Sequence, residues 1–274
     1  METPNPQTGV IDVTVETVDG GSDTTGRVDD NDAAEPVPSG RTRTETQPKV
    51  RTITFDRPEA RNALTVEGLE ALETAVDDAD EPVVYLQGNG PAFCAGADLE
   101  AVADLDGDPE RADAFARLGQ RVARTIADSP AVVVAGIDGP ARGGGLEVAL
   151  ACDVRVGTPD STYGEPGVRF GLFGAWGGTV RLPRIVGEGH ALELGLTGRT
   201  VDAEEALRMG LISRIDAEPR SVAAAIATNA DDALGTLKRR LRDDDERATQ
   251  ERREAAAFGE LVAAHADDVE NVLE

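Results

Sequence analysis

The chain has 274 residues, enough to bury one substantial core, and carries 52 acidic residues against 27 basic ones, a formal net charge of -25. So acidic a surface, with only Lys49 and Lys238 as lysines, repels nucleic acid and anionic lipid, and no apolar run reaches the ~18 residues of a membrane helix. Two cysteines, Cys94 and Cys152, are too few for a disulfide framework and suit a reducing cytoplasm.

Residues 10–18 alternate apolar and polar side chains, as a half-buried strand does, within a polar opening stretch that gives no reason to expect a signal peptide. Residues 20–47 are rich in Gly, Ser, Thr, Asp and Pro and nearly lack large apolar groups, so a mobile acidic segment is expected there. Residues 50–55 then spell a strand, and Thr65 stands where a helix N-cap would, opening a helix to about residue 79. A buried strand at 82–86 leads into a glycine-punctuated loop, a helix spans 109–127, and the apolar run at 131–137 is the next strand. A glycine-opened helix covers 143–151 and a strand 154–156; helices follow at 177–185, 189–196 and 203–209, with a strand at 211–215. From Ser221 the chain reads as helical and rich in arginine and acid, packing outside the main core. Strands alternating with helices give an α/β fold, divided into an N-terminal segment (1–48), a core (49–216) and a C-terminal helical region (217–274). The acid excess is interleaved with patterned apolar segments, which fits a salt-adapted, halophilic surface rather than acidic disorder.

Two glycine-rich junctions carry the chemistry. In the first, residues 90–99, small residues follow a strand, so a ligand carbonyl can approach the backbone closely. In the second, residues 139–147, a strand delivers Gly143-Gly144-Gly145 into a helix whose first N–H groups are free to bind an anion. Glu147 lies one turn beyond Gly144 on the same face, among Leu146, Val148, Ala149 and Leu150. A carboxyl in such apolar surroundings has a raised pKa suited to proton transfer. The two histidines, His190 and His265, are far apart, offering no metal site and no evident serine–histidine pair.

Together the segments RPEARNAL (57–64), AFCAGADL (92–99), GGGLEVALACD (143–153), WGGTVRLPRIVG (176–187) and LTGRTVDAEEALRMGLISRI (196–215) resemble the enoyl-CoA hydratase/isomerase (crotonase) family. The resemblance implies a spiral of repeated ββα units with a C-terminal helical region, assembled as trimers or hexamers. It implies an oxyanion hole from the backbone of Ala97 and Gly144, acting on an acyl-CoA substrate with no separate cofactor. Ala60, Arg61, Ala63, Ala95, Asp98 and Leu99 would line the substrate, with Gly143, Pro166 and Gly167 beside it. Glu147 matches one catalytic glutamate of the family's hydratases. The position of the second is Gly167, and Glu165 stands two residues earlier, a displacement of ~7 Å across Pro166 in extended chain. Glu147 is therefore expected to carry most of the proton transfer, with Glu165 a candidate substitute of smaller effect. Hydration or double-bond isomerisation of an enoyl-CoA leads; decarboxylation, thioester hydrolysis and a non-catalytic acyl-CoA-binding subunit stay open.

Overall fold

The computed structural model of the protein describes residues 11–17 and 49–273, so the segment expected to be mobile, 20–47, lies outside the described residues. The core opens with strands β1 (Ile11–Thr17) and β2 (Lys49–Phe55), a 3-10 turn at Pro58–Ala60, helix α1 (Val66–Asp77) and strand β3 (Val83–Gly88). Thr65 caps α1 as its sequence position suggested, its hydroxyl accepting from Gly68 N–H at 3.1 Å. Next come α2 (Leu99–Ala103), α3 (Pro109–Asp128), β4 (Val132–Ile137), β5 (Pro140–Arg142), α4 (Gly144–Ala151), β6 (Val154–Gly157) and β7 (Thr162–Gly164). A 3-10 turn at Pro166–Phe170 precedes α5 (Gly178–Val186), α6 (Glu188–Thr197), β8 (Thr200–Asp202), α7 (Ala203–Arg208) and β9 (Arg214–Ile215). Four helices finish the chain: α8 (Arg220–Ala227), α9 (Asp231–Leu241), α10 (Arg247–Ala264) and α11 (Ala266–Leu273).

A six-stranded sheet runs β1-β2-β3-β4-β6-β9, antiparallel only between β1 and β2, and a small sheet runs β5-β7-β8. Successive turns of the chain feed both sheets in order: β4 then β5, β6 then β7, β8 then β9. That is the spiral of ββα units.

The central strands β3 and β4 are buried on both faces, as strands of parallel sheets are. Ile53, Phe55, Val84, Leu86, Val133, Ala135 and Ile137 face the core shared with α1, α3 and α4. Alternate residues Val83, Tyr85, Val132 and Val134 face the other way and are covered by Ala223 and Ala227 of α8. Part of the tail thus packs on the core, correcting the expectation that it lies wholly outside. Helix α9 is pinned there by Lys238, whose buried ammonium donates to Ala131 O at 2.7 Å and pairs with Asp153 at 2.9 Å. Helix α10, by contrast, has no buried residue. The three-residue strands β5, β7 and β8 and the short helix α2 were not legible in the sequence, because so few residues establish no period.

Candidate active site

The two glycine-rich junctions are stitched side by side. Cys94 N–H donates to Pro140 O (3.2 Å) and Arg142 N–H donates to Cys94 O (3.0 Å), so residues 94–97 run along residues 140–144. The contact is close enough to require glycine: a Cβ on Gly145 would strike Cys94, and one on Gly96 would lie 2.7 Å from Arg142 O. Gly96 (φ 102°) and Gly143 (φ 47°) also hold backbone angles that disfavour other residues. A buried Asn62 (φ 58°) fastens the 57–64 turn to this seam, its amide donating to Asn89 O (2.9 Å) and Ala92 O (2.7 Å).

Backbone accounting isolates two donors here. Ala95 N–H donates to Arg61 O, and Leu64 bridges the next segment by donating to Gly96 O and accepting from Asp98 N–H. Between these, Ala97 N–H has no acceptor among the described residues. Gly143 N–H is taken by Gly164 O, whereas Gly144 N–H, first in α4, has none. The built Cβ of Gly96 lies 3.1 Å from Gly144 N, so the two free amides flank one spot.

Glu147 is 2% exposed, and its Oε1 accepts from Trp176 N–H (2.8 Å) and Gly178 N–H (2.6 Å). Burial dominates and pushes its pKa up to about 7, although those amides and the half-buried Arg181 guanidinium pull the other way. Glu165 is 8% exposed, and neither carboxyl oxygen has a hydrogen-bond partner among the described residues. Burial raises its pKa first and the Glu147 charge adds to the rise. The two carboxyls face each other across Gly174: a Cβ there would lie 2.9 Å from Glu147 Oε2 and 2.9 Å from Glu165 Oε2, so those oxygens are no farther apart than twice that distance. Sequence spacing made Glu165 a displaced substitute, but the turn at Pro166 brings it to the same pocket. The environments also differ: Glu147, with amide donors and a nearby cation, is the better placed of the two to carry negative charge, and Glu165, with neither, the better placed to keep a proton.

Gly167, the family position, faces elsewhere. A Cβ there would meet Phe173 Cα at 3.0 Å and Leu172 O at 3.1 Å, the backbone of the following loop.

Two hollows flank the seam. A cleft of about 350 Å³ is lined by Arg61, Pro91, Ala92, Ala95, Pro140 and Arg142. It contains Arg61 and Ala95 as expected, while Ala60 and Ala63 belong to the adjoining turn and do not line it. Arg142 was missed from sequence; it donates to Thr162 O (2.7 Å) and Thr162 Oγ1 (2.9 Å), which fix a second cation beside Arg61. A larger cavity of about 700 Å³ lies between the 165–174 segment, α5 and α6, with Glu165 in its wall. Pro166 and Gly167 are not in that wall. Asp98 is not free to meet a ligand either: it pairs with Arg57 at 2.9 Å and caps α2 through Glu100 N–H, while Leu99 projects into solvent. Trp176 belongs to the core, seated between Gly119 and Gly144 with its ring edge-on to Phe115 at 5.7 Å. His265 pairs with Asp232 and Asp268, and among the described residues no metal-binding cluster and no helix long and apolar enough to cross a membrane occurs.

A family profile for enoyl-CoA hydratase/isomerase matches residues 45–270. A protein of Mycobacterium tuberculosis named as a probable enoyl-CoA hydratase is 38% identical over 172 residues, covering 61% of this chain and 65% of that protein, just under two thirds of its length. The short-chain-enoyl-CoA hydratase of Clostridium acetobutylicum is 34% identical over 209 residues, 72% of this chain and 79% of the relative. Among solved structures, an enoyl-CoA hydratase from Bacillus anthracis superimposes with a TM-score of 0.72 at 30% identity, over 78% of this chain and 87% of that one.

Proposed function

The chain belongs to the enoyl-CoA hydratase/isomerase family, and from that premise we propose that it hydrates, or shifts the double bond of, an enoyl-CoA thioester. What carries the reading is one succession along the seam: an arginine cleft, two free amides, a buried pair of carboxyls, and an apolar cavity. An acyl-CoA has the matching parts in the same order: anionic phosphates, a thioester carbonyl, the reactive C2–C3 unit and an acyl chain.

Ionised Glu147 takes a proton from water as the water oxygen attacks C3. Electron density moves onto the thioester oxygen, where Ala97 N–H and Gly144 N–H stabilise the enolate. Donors fixed in advance at that point act without reorganising, and losing one typically costs ~10²–10³ in rate. The enolate's C2 then takes the proton of Glu165. This leaves Glu147 protonated and Glu165 ionised, and proton exchange within the pair restores the starting state. Isomerisation uses the same carboxyls, one removing a proton from carbon and one returning it. Water adds across C2–C3, or the double bond shifts, with no net oxidation or reduction, so the reaction needs no redox cofactor, and these residues supply its proton transfers and charge stabilisation. In this reading the enzyme is a cytoplasmic homotrimer or hexamer, and the exposed α10, with Phe258 and Val262 on its surface, offers an apolar face for self-association.

The test is hydration of crotonyl-CoA followed by loss of enoyl absorbance. The parent protein turns over, and Glu147→Gln lowers kcat by ~10²–10⁴ with binding largely spared. Binding of acyl-CoA without turnover in the parent, across an enoyl-CoA panel, would leave a non-catalytic binding protein as the better account.

A further inference from the structure

The cavity that begins at Glu165 is much larger than the reacting atoms need. It occupies about 700 Å³ between the 165–174 segment, α5 and α6. Its inner end holds the carboxyl pair, since Glu165, Gly174 and Gly178 all line it and the two glycines abut Glu147. Its outer part is mostly apolar, with Thr179 and Glu188 as polar side chains in the wall. Leu172, Phe173, Leu192 and Leu196 line it and stand 53%, 71%, 52% and 71% exposed, so they are solvated while the cavity is empty. Four large apolar side chains held in water around one hollow are unfavourable unless something apolar covers them.

We propose that this cavity receives a linear, apolar acyl chain of about eight carbons or more, which makes the protein selective for medium-chain or longer acyl-CoA thioesters over four-carbon ones. The inference rests on the acyl-CoA reading above and assigns the class of chain. Volume decides the length. A methylene fills roughly the ~30 Å³ of a liquid water, so a four-carbon acyl group, on the order of 120 Å³, leaves most of the space unfilled. Half of the cavity holds about ten such groups. Continuity decides the occupant: a chain whose C2–C3 unit lies at Glu147 and Glu165 has its tail directed along the cavity, and no polar partner is needed beyond that point.

Gly195 provides the probe. It lies within α6 and lines the cavity, and a Cβ on it meets nothing within 4 Å. A side chain can therefore start from this wall position without its Cβ meeting the protein, so Gly195→Phe adds bulk beside the cavity, and it replaces a poor helix former. Calorimetry with saturated butanoyl-, octanoyl- and decanoyl-CoA reads binding without chemistry. Each fully buried methylene contributes about fourfold in affinity (about 0.8 kcal/mol), so decanoyl-CoA is expected to bind at least ~60-fold tighter than butanoyl-CoA, the effect of three such groups. Gly195→Phe is expected to cut that ratio at least tenfold. A ratio is unmoved by general damage that weakens both ligands alike.

A flat series from butanoyl to decanoyl in the parent protein overturns the inference, whether or not the variant folds. So does a decanoyl preference that survives Gly195→Phe. If instead that substitution alone dissociates the oligomer in light scattering and the parent's series is flat, the cavity is a subunit contact. Hydration of crotonyl-CoA with a flat series sinks only the chain-length assignment. Chain-length-dependent binding without turnover of any enoyl-CoA sinks only the proposed reaction.

Discussion

Replacing Glu165 by glutamine keeps the shape of the side chain and removes its proton, which separates the two consequences of its burial. Both carboxyl oxygens lack a hydrogen-bond partner among the described residues, and the Glu147 carboxylate faces them, so the charged form of Glu165 is disfavoured twice. Below the ordinary glutamate pKa of ~4.3 the carboxyl is protonated in both folded and unfolded chains and pH has no leverage. Above it the unfolded chain releases the proton while the folded one keeps it, so stability falls as pH rises until the raised folded pKa is passed. Each unit by which the folded value exceeds the ordinary one costs ~1.4 kcal/mol by that point. Glu165→Gln removes this slope. The variant should melt several degrees above the parent at pH 8, with the difference closing towards pH 4. Catalysis should move the other way: without the acid that protonates C2, kcat for enoyl-CoA hydration falls by ~10²–10⁴. The parent's kcat profile should be bell-shaped, with an acid limb where Glu147 is protonated and an alkaline limb where Glu165 ionises. Both limbs lie above the usual carboxylate range and belong to the coupled pair. The assays are thermal melts at several pH values and initial rates on one enoyl-CoA. Turnover within about threefold of the parent, with melting curves that stay parallel from pH 4 to pH 8, would refute the shared-proton account.

Gly167→Glu, which restores the residue typical of the family, should fail to raise activity and should lower the melting temperature, because its Cβ is directed at the backbone of Leu172 and Phe173; a rise in hydration rate would show that this loop yields. With a net charge of -25, the protein should melt well higher in molar salt than in dilute buffer, since the Debye length falls from ~10 Å at 0.1 M to ~3 Å at 1 M. Equal melting temperatures would remove the salt-adaptation argument.

The sequence by itself determined what local chemistry can encode. Thr65 ahead of an amphipathic run caps α1, Pro109 opens α3, and a stretch behind three glycines that is apolar but for Glu147 is the fully buried α4. The same glycines marked both sides of the seam, because a backbone that must touch another backbone cannot carry a Cβ. Glu147 was legible for a related reason: a lone carboxyl in an apolar helix is buried wherever that helix packs. Arg142, the partner of Arg61 in the cleft, left no comparable signal, since an arginine after a strand is ordinary until Thr162 is found to hold it. The meeting of Glu165 with Glu147 depends on the path of the chain through Pro166 and back past Gly174, and no period or composition in either neighbourhood specifies that path. The apolar cavity has the same origin: its walls come from three separate stretches between residues 165 and 196. Each stretch reads alone as an ordinary helix or turn, and only the way α5 and α6 pack leaves the space between them.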